Sequence, residues 1–231
     1  MQYFGGKQRI AKKLSVFIQP YVNGASTYVE PFVGGAAMLA AIDSPIKIAG
    51  DLNPFLITLW KSLSKGWEPP SEITEQKYAE VKAAMREDDP LTAFVGFGCS
   101  FAGKWFGGYA RGEEGRNYAS NAAGSLKKKM KTLANVKWHF SDYASLPFPK
   151  GSVIYCDPPY QGTTQYGAVT SFNWERFWDW CRDQSMVGNK VFVSEYNAPK
   201  DFDCILEVKT KLDIRTKDGV QPPRIERLFS Q

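Results

Sequence analysis

Three times along this chain a short apolar run with strand character breaks off at an acidic residue or a glycine turn. Thr27-Tyr28-Val29 runs into Glu30-Pro31-Phe32-Val33-Gly34-Gly35, Ile46 to Gly50 stops at Asp51, and Val153-Ile154-Tyr155-Cys156 stops at Asp157-Pro158-Pro159-Tyr160. Helix-prone stretches lie between these runs. Such alternation lays strands in parallel within one sheet, with helices on its faces, and a sheet of that kind presents its ligand-binding groups at the carboxyl ends of its strands. The expected fold class is therefore α/β.

The rest of the chain extends the pattern. Ile10, Leu14, Phe17, Ile18 and Val22 follow helical spacing, which predicts an amphipathic helix from Gln8 to about Tyr21. Ala36 to Ile42 is helix-prone, and Asn53-Pro54 reads as an N-cap followed by proline at the first helical position. After Gly66 the texture changes to Pro69-Pro70, a charged helix near Ser71 to Glu87, and a glycine-rich, aromatic and basic stretch up to about Lys131. We read residues 67–133 as an insertion into a domain made of 1–66 and 134–231. Strands near Val136 to Phe140 and Ser152 to Cys156, a Trp-rich helix near Asn173 to Met186 and a strand at Lys190 to Ser194 resume the alternation. Cys204 to Lys209 and Ile225 to Phe229 suit an antiparallel pair closing a mixed sheet.

Composition removes several classes of function. The 231 residues, 43% hydrophobic, suffice for a globular core. No amino-terminal signal or membrane-spanning stretch is evident, so a cytoplasmic protein with no membrane role is expected. Cys99, Cys156, Cys181 and Cys204 are far apart and form no CxxC pair, which favours reduced thiols over a disulfide framework or a metal site. The one histidine, His139, falls inside a strand-like run, leaving Ser/His and Cys/His catalysis without a base. A monomer is the simplest expectation.

The net charge of +5 is concentrated: Lys104, Arg111, Arg116, Lys127, Lys128, Lys129 and Lys131 face only Glu113 and Glu114 in that stretch. Phe101, Trp105, Phe106, Tyr109 and Tyr118 are interleaved with them. Either this is a solvated surface or it is a surface for a polyanion, with basic residues for the backbone and aromatic ones for the bases. Lys104, Trp105, Tyr109, Arg111, Arg116, Asn117, Tyr118, Lys127 and Lys128 are the candidate nucleic-acid contacts.

Asp157 to Tyr160 combines acceptors with an aromatic plate. Proline donates no backbone hydrogen bond and fixes its own φ, so the Asp157 carboxylate and the Pro158 carbonyl form a rigid acceptor set beside the Tyr160 ring. That set suits a planar amine. An exocyclic amine on a nucleobase is a weak nucleophile because its lone pair is delocalised into the ring, and a catalyst must accept its N–H bonds to favour a pyramidal nitrogen. The same four residues would also serve as a proline-stiffened turn with a buried tyrosine. On the cofactor side, a glycine turn after one strand and an acid after the next are what a parallel sheet uses to hold an adenosine moiety. Gly34-Gly35 and Asp51 fit that use; equally, they fit a tight turn and a helix cap. The absence of G-x-G-x-x-G disfavours a dinucleotide.

Taken together, these residues resemble the Dam-like, D12-class adenine-specific DNA methyltransferases, closest to the small phage-type members, over nearly the whole chain. Tyr3-Phe4-Gly5-Gly6-Lys7 looks like the family's W-x-G-G-K opening, with tyrosine replacing tryptophan. Glu30 to Gly35 looks like E-P-F-x-G, Asp51-Leu52-Asn53 like D-x-N, and Asp157 to Tyr160 is DPPY. The resemblance implies a Rossmann-like methyltransferase sheet with an inserted, mainly helical target recognition domain. It implies S-adenosylmethionine as donor, held by Tyr3, Phe4, Gly6, Lys7, Glu30, Pro31, Phe32, Gly34, Gly35, Asp51, Leu52, Asn53 and Asp157. It further implies transfer to adenine N6 in double-stranded DNA, with Asp157, Pro158 and Tyr160 catalytic and no metal. N4-cytosine methylation and a DNA-binding relative without activity are the alternatives.

Overall fold

In a computed structural model of the chain, residues 1–23, 26–111, 117–161, 172–211 and 223–231 are described. Strands β1 (Thr27–Glu30), β2 (Ile46–Asp51), β3 (Val136–Phe140), β4 (Val153–Cys156) and β5 (Lys190–Glu195) run parallel. β6 (Asp203–Lys211) and β7 (Pro223–Ser230) are antiparallel to each other, and β7 pairs antiparallel with β5. The order across the sheet is β3-β2-β1-β4-β5-β7-β6. Every residue of β1 and β4 is buried, as expected of parallel strands covered on both faces.

The two faces carry two cores. Alternate side chains of one strand point to opposite sides: Tyr155 and Phe192 pack with Leu14, Leu39 and Trp60, whereas Ile154, Cys156, Val191 and Val193 pack with Phe177 and Cys181. The helices are α1 (Ala11–Ile18), α2 (Ala37–Ala41), α3 (Pro54–Ser64), α4 (Glu75–Ala84), α5 (Pro90–Ala93), α6 (Tyr118–Met130) and α7 (Trp174–Met186).

Local chemistry accounts for their ends. The Asn53 side chain accepts the Leu56 N–H at 3.2 Å, and Pro54 opens α3. Thr74 caps α4 through the Lys77 N–H, and α4 stops where Met85 turns left-handed at φ 44°. The single helix expected from Gln8 to Tyr21 is three pieces, with 3-10 turns at Lys7–Arg9 and Gln19–Tyr21 flanking α1. Pro20 has no N–H to continue the α1 ladder, and the chain tightens around it.

In residues 67–133, α4, α5, a π-helical turn at Phe94–Gly98 and α6 are joined by an irregular loop that crosses residues 99–111. Phe94, Val95 and Leu126 from this stretch lie in the same apolar cluster as Leu39 and Trp60.

Candidate active site

The sheet order places the carboxyl ends of β2, β1, β4 and β5 side by side, so Asp51, the turn after Glu30, Asp157 and Glu195 line one edge. From β1 the chain moves outward to β2, whereas β4 lies on the other flank of β1. The motifs therefore converge on the position where connections leave the sheet in opposite directions, the usual ligand crevice of an open α/β sheet.

The glycine turn is held from three sides. Asp51 accepts the Gly34 N–H at 2.8 Å with one oxygen and the Asn53 N–H at 2.9 Å with the other. Those bonds leave acceptor capacity on a carboxylate with about four lone-pair sites. Burial pushes the Asp51 carboxyl up to about 6, against the pull of its backbone donors. The Trp60 indole donates to the Gly34 carbonyl at 3.0 Å, and the Lys129 amine donates to the Gly35 carbonyl. Across the turn lies Tyr3: a Cβ on Gly34 or Gly35 would come within 2.9 Å of its side chain. Both glycines are thus required for the ring to approach, and Gly34, at φ 43°, is required for its conformation too. Ala36 follows at φ 50°, a left-handed conformation that costs an alanine.

Around Asp157 the chain gathers charges from distant segments. Lys7, only 6% exposed, donates to the Asp157 carboxylate at 2.6 Å and lies 4.6 Å above the centre of the Tyr160 ring. Burial pulls the Lys7 amine down, yet Asp157 and Glu226 together hold it above its ordinary value. Burial raises the Asp157 carboxyl, and Lys7 draws it only part of the way back. The Tyr160 hydroxyl donates to Glu226 at 2.5 Å, and the Tyr196 ring meets Tyr160 edge-on at 4.7 Å and 89°. Glu195 accepts the Gln161 N–H at 3.2 Å and the Tyr196 N–H at 2.6 Å; burial lifts its carboxyl to about 7. Glu30, 2% exposed, accepts the Tyr28 hydroxyl at 2.8 Å and is pushed up to about 8 by burial.

The remaining candidate cofactor residues surround the same edge. The Phe4 N–H donates to the Gly103 carbonyl at 3.2 Å and the Gly6 N–H to the Tyr3 carbonyl at 3.0 Å. Pro31 is buried and Phe32 stacks on Tyr143 at 5.5 Å and 28°. Leu52 is exposed beside Asp51, and Asn53 is occupied as the cap of α3.

The candidate nucleic-acid residues are more scattered. Lys104 lies 5.2 Å over the Phe4 ring, so the basic loop touches the amino-terminal motif. Trp105 is packed among Phe55, Phe97 and Phe106, and Tyr109 sits against Tyr78 and donates to the Ile73 carbonyl at 2.7 Å. Arg111 pairs with Glu75, and Lys127 with Glu68 at 3.8 Å. Asn117 caps α6 through the Ser120 N–H at 2.9 Å, Tyr118 opens that helix, and Lys128 is exposed on it. Arg116 lies outside the described residues. Phe101, 66% exposed on this loop, has its ring in solvent.

Sequence reasoning missed Glu226 and Lys129: Ile225 to Phe229 showed only strand character and Lys129 sat within a basic run, and each reaches its partner only through the fold.

A cavity of about 440 Å³ lies elsewhere, at the amino ends of β2 and β3, lined by residues 40–45, Lys47, Lys131, Thr132, Ala134 and Asn135. Its buried Lys47 is satisfied by the Leu39 and Thr132 carbonyls, and the cavity brings no reactive group together. The candidate site is therefore taken at the other edge. Among the described residues no group of three or more His, Cys, Asp or Glu could hold a metal, and no helix is long and apolar enough to cross a membrane.

Residues 3–90 match the family model of the D12 class N6 adenine-specific DNA methyltransferases, a span holding the Tyr3 to Lys7, Glu30 to Gly35 and Asp51 to Asn53 motifs. No curated protein matches. Among solved structures, the tRNA (m1A58) methyltransferase TrmI from Aquifex aeolicus aligns with TM-score 0.41 and 10% identity over 96% of this chain and 68% of that one. The putative methyltransferase yhhF from Escherichia coli aligns with TM-score 0.40 and 11% identity over 100% of this chain and 90% of that one.

Proposed function

We propose that this chain, whose residues 3–90 match the model of the D12 class N6 adenine-specific DNA methyltransferases, transfers a methyl group from S-adenosylmethionine to an adenine flipped out of double-stranded DNA. The observation that carries the reading is the Asp157 carboxylate at the sheet's switch point, between the Asp51-braced glycine turn and the Tyr160 ring.

The residues present suit the donor. Two glycines that a Cβ would block and an acid with spare acceptor capacity form a cradle for an adenosine moiety with its ribose hydroxyls on Asp51. Tyr3, Lys7, Phe32 and Asp157 border that cradle. When bound, S-adenosylmethionine supplies an electrophilic methyl group. Asp157 and the Pro158 carbonyl accept the N–H bonds of the incoming amine and favour its pyramidal form. Tyr160 stacks on the extruded base, returning about 1–3 kcal/mol of the few that flipping costs. Lys7 holds the carboxylate in place. Positioning and preorganised acceptors supply most of the acceleration.

Residues 67–133 serve in this reading as the target recognition region. Lys104, Lys128 and the exposed Phe101 ring offer phosphate and base contacts close to the amino-terminal motif. The enzyme works in the cytoplasm, where DNA is accessible and thiols stay reduced.

The test is direct: incubate the protein with labelled S-adenosylmethionine and mixed-sequence duplex DNA, digest to nucleosides, and identify the labelled one. Label on N6-methyl-2′-deoxyadenosine is expected. Label on deoxycytidine would assign the enzyme to N4-cytosine, and DNA retention without any label would make it a binding module.

A further inference from the structure

We propose that Glu226 is a positioning residue for methyl transfer, acting through the hydroxyl of Tyr160 to fix the ring on which the target base stacks. The inference rests on the adenine-methylation reading and adds to it a residue outside all four motifs.

The geometry singles out this carboxylate. One Glu226 oxygen accepts the Tyr160 hydroxyl at 2.5 Å and stands 4.0 Å from the Lys7 amine, while that amine lies 4.6 Å over the ring and bonds Asp157 at 2.6 Å. Tyr160 is thus held at its hydroxyl by Glu226, with the Asp157 carboxylate also in hydrogen-bonding reach of that hydroxyl, on one face by Lys7 and edge-on by Tyr196 at 4.7 Å. Its backbone follows two prolines and leads directly into Gln161, whose N–H is tied to Glu195 at 3.2 Å. A ring anchored at its tip cannot swing about its Cα–Cβ bond without breaking a hydrogen bond to a carboxylate, one of the stronger kinds, and Lys7 on its face with Tyr196 edge-on restrain its plane.

The anchor itself is rigid. Glu226 sits on β7 opposite Val208 of β6, and the next residues pair with β5, Arg227 with Glu195 and Leu228 with Ser194. Arg227 further donates to Glu207 at 2.7 Å and has its other arm on the Tyr196 carbonyl, close to 2.5 Å. The strand that carries Glu226 therefore also braces the residue flanking the Tyr160 ring. A fixed plate matters because misplacing reacting groups by about 1 Å costs around a hundredfold in rate.

The experiment is a double-mutant cycle on the full chain with labelled S-adenosylmethionine and duplex DNA. Glu226→Ala is expected to lower kcat about ten- to hundredfold, with KM for S-adenosylmethionine unchanged. Glu226→Gln, which keeps an acceptor for the hydroxyl, should retain most of the rate. Tyr160→Phe should lose as much as Glu226→Ala, and combining the two should cost no more than either alone. Losses that multiply in the double variant, a Gln variant as impaired as the Ala variant, or a Tyr160→Phe enzyme with normal kcat would each overturn the role. Should Glu226→Ala not fold, the Gln and Phe variants decide by the same criteria. If the unaltered protein labels no adenine, the adenine reading itself fails; normal adenine labelling with a silent Glu226→Ala sinks only this inference.

Discussion

Lys7 and Asp157, 150 residues apart in sequence, meet in an ion pair of 2.6 Å whose lysine is buried and whose carboxylate is partly so. The pair fastens the amino-terminal motif to the acceptor cluster, so the two are one site rather than two neighbouring ones. It also couples catalysis to stability, since either partner alone would leave a charge short of compensation.

Asp157→Ala should abolish methyl incorporation and lower stability by about 3 kcal/mol, the range for stranding a buried charge. Glu226 at 4.0 Å softens the loss. Adding Lys7→Met removes the stranded ammonium, so the double variant should resist urea better than Asp157→Ala while staying inactive. Urea unfolding of the three proteins checks this; a double variant no more stable than the single one would show that the pair carries little of the fold.

Cofactor affinity should fall as the pH drops through about 6, where Asp51 takes up a proton and its capacity to accept ribose hydroxyls declines. In the limit the loss is about tenfold per pH unit. Stability without ligand runs the other way. Asp51, Glu195 and Glu30 have folded-state values of about 6, 7 and 8, above their ordinary 3.8, 4.5 and 4.5. Their contribution is fully present in acid and is lost as the pH rises through those values. Glu30→Gln, which keeps an acceptor for Tyr28, should flatten the upper part of that decline. Calorimetric titration at pH 5 and 8, with melting curves at the same values, reads both effects.

Gly34→Ala should cost roughly 1–2 kcal/mol from its left-handed backbone alone, with more from the Tyr3 ring that the new Cβ would meet at 2.9 Å. Cofactor affinity should fall with it. Ala36→Gly is the informative contrast. Relief of about 1 kcal/mol at φ 50° is set against about 0.8 kcal/mol for one buried methyl. The two nearly cancel, and the melting temperature should hardly move.

Phe101→Ala should weaken duplex binding roughly tenfold if its exposed ring stacks on a base, without changing cofactor affinity. Lys104→Gln combined with Lys128→Gln should reduce the slope of log affinity against log salt by about 2. Fluorescence anisotropy over a salt series measures both.

The strands and their acidic ends were legible because parallel strands buried on both faces leave unbroken apolar runs, and because Asn53-Pro54 and the prolines after Asp157 admit few conformations. The long first helix was misjudged where periodicity carried on past Pro20, which the backbone could not follow. Tyr3, Lys7 and Asp51 were singled out through motif order. Their physical roles, a ring laid on two glycines and an ammonium on Asp157, belong to tertiary contact and left no local trace. The same holds for Lys129: in sequence it is one more lysine of a basic run, while in the fold it is buried, donates to the Gly35 carbonyl and is pulled down to about 8 by burial. Trp105 and Tyr109 show the converse, since aromatic residues interleaved with lysines here fill a packed cluster.

Because β7 threads between β5 and β6, the segment synthesised after its two neighbours is an interior member of the sheet, not an added rim. A nascent polypeptide that has emerged only through β6 has its glycine turn and DPPY turn already translated, but lacks the strand that bridges β5 to β6 and the Glu226 carboxylate that meets the Tyr160 hydroxyl. Residues 223–230 thus act as the keystone of the sheet.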